Sequence, residues 1–129
     1  MGGIYAQSGN VVSSIIAGNN RSSASYDRNL FIKNSATFSN NIIVSSNVPT
    51  GAITADPKLT PLANHGGLVP AHALLSTSPA IGAGSNPMNL DTDTRGAGFA
   101  RVVGANPDTG AYERQINEDE IFGNGLDGA

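Results

Sequence analysis

The chain contains no cysteine and no tryptophan. Without thiols it has no disulfide, no thiolate nucleophile and no Cys-ligated metal, and the compartment is left open. Aromatic residues make up 5% of the chain and charged residues 13%. Lysine and glutamate are the scarcest charges: Lys33, Lys58, Glu113, Glu118 and Glu120. Good exposed helix formers are therefore nearly missing. The net charge of −3 argues against a nucleic-acid binder. No apolar run approaches the roughly 20 residues of a membrane-spanning helix. Met1-Gly2-Gly3-Ile4 lacks the basic and apolar regions of a signal peptide.

What is present is small and polar: 16 Gly, 14 Asn, 13 Ser and 8 Thr in 129 residues. Asn, Ser and Gly favour turns and side-chain to backbone bonds over helix. Val, Ile, Thr, Phe and Tyr carry the apolar pattern, which suits strands. The reading is all-β and one domain, long enough to bury a core.

The first fifty residues repeat. Ser13-Ser14-Ile15-Ile16-Ala17-Gly18-Asn19-Asn20 is echoed by Asn40-Asn41-Ile42-Ile43-Val44-Ser45-Ser46-Asn47, an offset of 27 residues. The same offset relates Ile4 to Phe31, Tyr5 to Ile32, Ser8 to Ser35 and Val11 to Phe38. A period in this range points to stacked supersecondary units, each unable to bury its inward face alone. The expected object is a β-solenoid over residues 1–52, with like residues stacked in ladders. Alternation places Val11, Ile15 and Ala17 on one face, matching Phe38, Ile42 and Val44. Asn20 and Asn47 fall at one turn position, where Asn tolerates a left-handed backbone.

All seven prolines lie at or after Pro49. Proline removes a ladder donor, so regular coils do not simply continue. Residues 53–113 read as short strands and ordered loops that close the solenoid end as a cap. Ala71-His72-Ala73-Leu74-Leu75 reads as a short strand or one helical turn. Residues 114–129 read as a mobile acidic and Gly-rich tail.

The cap carries a recognisable order of motifs. Asp56-Pro57-Lys58-Leu59 leads into Pro61-Leu62-Ala63-Asn64-His65-Gly66-Gly67, then His72-Ala73-Leu74-Leu75 and Ser78-Pro79-Ala80-Ile81-Gly82-Ala83-Gly84. Asp93-Thr94-Arg95-Gly96 and Pro107-Asp108-Thr109-Gly110-Ala111-Tyr112-Glu113 complete it. Together these motifs resemble the C-terminal region of choice-of-anchor Q proteins, bacterial surface proteins. The resemblance extends to Gly2-Gly3-Ile4-Tyr5 and Ile15-Ile16-Ala17-Gly18-Asn19, covering roughly residues 2–113. It implies the terminal coils of a right-handed parallel β-helix of pectate-lyase-like shape followed by an irregular cap. It further implies more coils before Met1 in a whole member. The implied location is outside the cell or on the surface of a Gram-negative bacterium. The family often carries Asp at the position of Gly82 and again near Ser85, and this chain departs from that pattern at both. Residues 119–127 resemble a short ending found on secreted Gram-negative proteins, with Leu126 where an aromatic residue usually stands.

Asp91, Asp93 and Asp108 are the candidate calcium ligands, because Ca²⁺ takes six to eight oxygens. The competing and favoured reading is structural: Asp93 or Asp108 pairs with Arg95, or caps turns. His65 and His72 lack the context of a zinc site or a catalytic triad and read as hydrogen-bonded structural residues. Asp56, Asp91, Asp93, Asp108, Glu113 and Arg95 could supply a glycosidase or lyase set, but no closely spaced acidic pair with a base falls inside the coils. No catalytic residue is assigned, and no cofactor apart from a candidate calcium. Tyr26, in the polar loop Ala24-Ser25-Tyr26-Asp27-Arg28, is the candidate sugar-stacking residue. The expected function is structural or adhesive, without catalysis of its own. The alternative is a module that binds or cleaves polysaccharide. A third expectation is self-association through the exposed first coil, where Ile4 and Phe31 border an open end.

Overall fold

The computed structural model describes residues 4–19, 30–44 and 48–115. The protein is all-β, and the described residues contain no helix. Two long strands, β1 (Ile4–Val12) and β3 (Leu30–Ser39), are each followed by a two-residue strand, β2 (Ile15–Ile16) and β4 (Ile42–Ile43). β1 pairs with β3 and β2 with β4, in both cases parallel. Ile15 lies beside Ile42, and Ile42 in turn makes a parallel bridge to Ile53. The sequence echo is thus a parallel stack of two rungs, and Ile53, outside the echo, adds a single bridge as a short third rung.

The stack departs from a constant offset at one place. Ser8 to Val12 pair with Ser35 to Ser39, but Ile4 pairs with Leu30 and Tyr5 with Phe31. The expected partners Phe31 for Ile4 and Ile32 for Tyr5 are each one residue too far. Between Ala6↔Ile32 and Ser8↔Ser35, β3 carries two residues against one on β1. A bulge of this kind leaves the repeat length intact elsewhere, so the offset alone does not reveal it.

The corners between strands are sharp. Ser13 and Asn40 take positive φ angles of 50° and 56°. This left-handed backbone is unfavourable for most L-residues, and Asn is among the most tolerant. The corner's polar groups are served by Asn41, which is 1% exposed. Its Oδ1 accepts from the Ser14 N–H at 2.8 Å, and its Nδ2 donates to the Val11 carbonyl at 2.8 Å. Burying an amide costs little when both ends are paired. Asn20 and Asn47, expected at a left-handed turn, lie outside the described residues.

The corner also changes which residues share a face. Ile16 and Ile43 pack with Ile4, Val11, Phe38, Val48 and Ala52. Ile42 packs on the other side, with Ile15 and Ile53 beside Leu59, Leu74, Ala80 and Tyr112. The expected grouping of Val11 with Ile15 and Ala17, and of Phe38 with Ile42 and Val44, is therefore corrected. The turn at Ser13 and Asn40 breaks the phase of alternation, and Val44 is 37% exposed. Within each two-residue strand the side chains point to opposite faces. Ile15 and Ile42 face the proline-bearing half, while Ile16 and Ile43 face away from it.

That second half, residues 54–115, is a lid built from turns and single bridges. Leu59↔Leu74 and Ala63↔Ala71 form one antiparallel arm, and Thr92↔Ala100 a second. The Ala71–Leu75 segment is thus strand-like. The lid was expected over the end of the stack. It lies instead along its side, against Ile15 of the first rung, Ile42 of the second and Ile53 of the third. Two corners anchor it. Ser13 Oγ donates to the Ser85 carbonyl at 2.9 Å and accepts from the Ser85 N–H at 2.6 Å. Thr109 Oγ1 donates to the Asn40 carbonyl at 3.1 Å. The Gly110 N–H donates to the Ser13 carbonyl at 2.7 Å. Close approach matters at Gly84, where an added Cβ would meet the Asp108 carbonyl oxygen at 2.6 Å.

Candidate functional site

Five charged residues among those described converge beneath the lid's second arm. Asp93 and Arg95 are 6% and 7% exposed, Arg101 6%, Asp108 2% and Glu113 fully buried. Charges this deep persist only when paired and hydrogen-bonded. Asp93 starts a tight turn: its Oδ1 accepts from the Arg95 N–H at 2.8 Å. The chain then folds Arg95 back, and its Nη2 reaches Asp93 Oδ2 at 2.6 Å. The same Asp93 oxygen accepts from the Glu113 N–H at 2.9 Å. Arg95 Nη2 also donates to the Glu113 carbonyl at 2.6 Å.

The Arg95 guanidinium is stacked between two rings. Its carbon lies 4.0 Å from the Phe99 centroid and 3.8 Å from that of Tyr112. A desolvated contact of this type contributes about 2 kcal/mol or more. His65 meets the Tyr112 ring edge-on, with centroids 5.5 Å apart. Gly66 and Gly67 let the arm approach this stack: a Cβ at Gly67 would meet the Arg95 Cα at 2.8 Å.

Glu113 is the second hub. Its Oε1 accepts from the Val103 N–H at 2.8 Å, and its Oε2 from the Asp108 N–H at 2.7 Å and from Arg101 Nη1 at 3.2 Å. Burial pushes the Glu113 carboxyl above the usual carboxylate value of 4.5; the two backbone N–H groups and Arg101 pull the other way, and the Asp108 charge adds to the rise. Asp108 ties two segments to its loop, its Oδ1 accepting from the Gly82 N–H and its Oδ2 from the Arg114 N–H, both at 2.8 Å. Gln115 Nε2 donates to the Ala100 carbonyl at 3.2 Å. The packed lid therefore runs to Gln115, and residues 116–129 of the expected tail lie outside the described residues.

Of the candidate calcium ligands, Asp93 and Asp108 direct their oxygens at N–H groups and Arg95, while Asp91 is exposed. Among the described residues no three His, Asp or Glu side chains gather as metal ligands. Tyr26 lies outside the described residues. His72 is exposed, with Nδ1 2.8 Å from the Thr60 carbonyl, which makes Nδ1 the protonated nitrogen in that bond. Nothing in the sequence marks Arg101, Ser13 or Asn41 as bonding partners of the lid. Arg101 had one signal: in a charge-poor chain, Asp93, Arg95, Arg101, Asp108 and Glu113 fall within one short stretch.

Clefts flank the lid among the described residues. One of about 620 Å³ lies between the first rung and the first arm, among Ser14, Ile15, Ala17, Leu62, His72 and Tyr112. A second, of about 520 Å³, lies beside Val12, Ser13, Met88, Leu90 and Arg101. A third, of about 810 Å³, is lined by Gly18, Val44, Asp56, Pro61 and His72. None is lined by two carboxylates, and paired carboxylates are what glycoside hydrolysis requires. The buried charges form a lock that fixes the lid. Comparison with family descriptions, curated proteins and solved structures finds no match.

Proposed function

We propose that the chain is a structural element: the last coils of a right-handed parallel β-helix with a lateral lid, of adhesion type, at a bacterial surface. The observation that carries this reading is the Ile15–Ile42–Ile53 stack gripped along its side by Leu59, Leu74, Ala80 and Tyr112. Parallel rungs at constant spacing give a stiff rod, each rung serving as template for the next. Charges spent inside the lid, each satisfied by a fixed partner, serve rigidity rather than turnover.

The alternative of polysaccharide binding or cleavage is served less well. Tyr112 touches the first cleft but is 5% exposed and covered by Arg95, so it offers no open stacking face. The test is a glycan array together with an assay for cleavage of acidic polysaccharides. Silence in both is expected. Saturable binding or product release abolished by His72→Ala would overturn the structural reading.

A further inference from the structure

Asp56-Pro57 is the chain's one Asp-Pro bond. It lies between Ile53, the third rung, and Leu59, where the first arm of the lid begins. The chain crosses from stack to lid only here. Neither the packed rungs nor the buried charges use Asp56.

Asp56 is exposed and Pro57 is buried. The Asp56 Oδ1 accepts from the Lys58 N–H at 2.9 Å. That hydrogen bond closes a ring containing the Asp56–Pro57 peptide itself, so the carboxylate is folded over the bond that follows it. Its other oxygen makes no bond to a described residue. Lys58 completes the turn with a φ of 51°, left-handed backbone that is unfavourable for lysine. The far side of the bond is clamped. Ser78 Oγ donates to the Pro57 carbonyl at 2.5 Å, and the Leu75 N–H donates to the Lys58 carbonyl at 3.0 Å. Asp56 and Pro57 both line the cleft of about 810 Å³, which gives solvent a way to the bond. Two other titratable groups stand nearby: Lys58, whose Nζ donates to Thr77 Oγ1 at 3.2 Å, and His72 on the same cleft.

We propose that the folded chain cuts itself between Asp56 and Pro57. A carboxylate oxygen of Asp56 attacks the Asp56 carbonyl carbon and forms a cyclic anhydride. The C–N bond breaks, and its electron pair goes to the Pro57 nitrogen. That nitrogen takes two protons from solvent and leaves as a secondary ammonium. Water then opens the anhydride, gives its oxygen to one of the two carboxylates formed, and returns two protons. One water is consumed and the Asp56 side chain is regenerated. A carboxylate is an established covalent nucleophile, and holding it against its target raises its effective concentration. Proline suits the leaving side, because its amide nitrogen is tertiary and carries no N–H. Asn86-Pro87 and Asn106-Pro107 offer the same leaving group without a carboxylate. The cut removes the covalent link and leaves the grip. Ser85 and Gly110 still bond Ser13, Thr109 still bonds Asn40, and the lid still packs on Ile15, Ile42 and Ile53. The product is a two-piece protein of the same shape.

The test incubates the full chain at about pH 4, where carboxylates and solvent protons coexist, and follows it by mass spectrometry under denaturing conditions. Fragments 1–56 and 57–129 are expected, with no cut at Asn86-Pro87 or Asn106-Pro107. Asp56→Asn keeps an oxygen for the Lys58 N–H and should slow the cut by about tenfold or more. The folded parent should cut about tenfold or more faster than the same chain in denaturing urea at the same pH, because only the fold holds the carboxylate over the bond. An equal rate in urea would reduce the cut to ordinary Asp-Pro lability and overturn the proposal. An uncut folded chain, or Asp56→Asn cut at the parent's rate, would overturn it as well. Native mass should stay that of the whole chain plus one water, and fragments that part on cleavage would overturn the two-piece product.

Discussion

Ser13 and Asn40 occupy equivalent corners of successive rungs, and both turn the chain through left-handed backbone, with φ of 50° and 56°. The lid is bonded to both, through Ser85 and Gly110 at Ser13 and through Thr109 at Asn40. Local strain and tertiary anchoring thus coincide. Asn40→Val should cost about 1–2 kcal/mol or more, because a β-branched residue resists this backbone. Asn40→Gly should cost under about 1 kcal/mol, since glycine takes it freely. Urea denaturation of the two variants checks the order; equal losses would remove the backbone argument.

Ile42 is fully buried with a rung on each side and the lid above. Ile42→Ala is expected to lower stability by about 2–5 kcal/mol, the range for large-to-small changes in a packed core. Leu68, wholly exposed on the lid's first arm, is the contrast. Leu68→Ser should stay within about 0.5 kcal/mol. A small effect at Ile42 would mean that the three rungs do not form one core.

The repeat was legible because like residues recur at a fixed spacing, and Ile15 does stand beside Ile42. The all-β class followed from the same spacing and from the shortage of helix formers. What escaped was everything decided by one residue of geometry. The extra residue of β3 shifts the pairing of Ile4 and Tyr5 without changing the repeat. The corner at Ser13 puts Ile16, rather than Ile15, on the face of Val11. The lid's position was illegible for a different reason: the bonds of Ser85 to Ser13 span 72 residues, and no periodicity encodes them. The pairing of Asp93 with Arg95 was readable because both lie in one turn. The meeting of Arg101 with Glu113 was not.

Arg95 is held by a forked bond to Asp93 and by two aromatic faces. Lysine supplies neither the fork nor a plane to stack. Arg95→Lys should therefore cost about 2–3 kcal/mol despite the retained charge. Arg95→Met, which leaves Asp93 buried without its cation, should cost about 3–5 kcal/mol. Thermal unfolding gives the order, and an Arg95→Lys chain as stable as the parent would show that stacking contributes little.

Calcium chelation separates two uses of the same acids. Asp93 and Asp108 accept from the Arg95, Glu113, Gly82 and Arg114 N–H groups. A cation would have to displace these donors. EDTA is expected to leave Tm unchanged within about 1 °C, below the 4–8 °C that 1 kcal/mol produces in a small domain. A larger fall, reversed by added calcium, would assign Asp91, Asp93 and Asp108 a metal after all.

Glu113 gives the lid a pH dependence of defined sign. Burial raises its carboxyl above the ordinary value of 4.5, so the folded state holds the proton more tightly than the unfolded chain. Between the two values the folded state binds more protons, and stability rises as pH falls. This contribution is complete below the unfolded value and is lost as pH rises through the folded one. Glu113→Gln removes the titration while keeping the shape. It should lower stability overall, because the amide nitrogen set against the Asp108 N–H and Arg101 cannot accept their hydrogen bonds. The parent's advantage over Glu113→Gln should widen as pH is lowered from neutrality toward 4.5. Denaturant titrations of both chains across that window measure the difference, and an advantage that narrows on acidification would show that Arg101 and the two backbone donors outweigh burial.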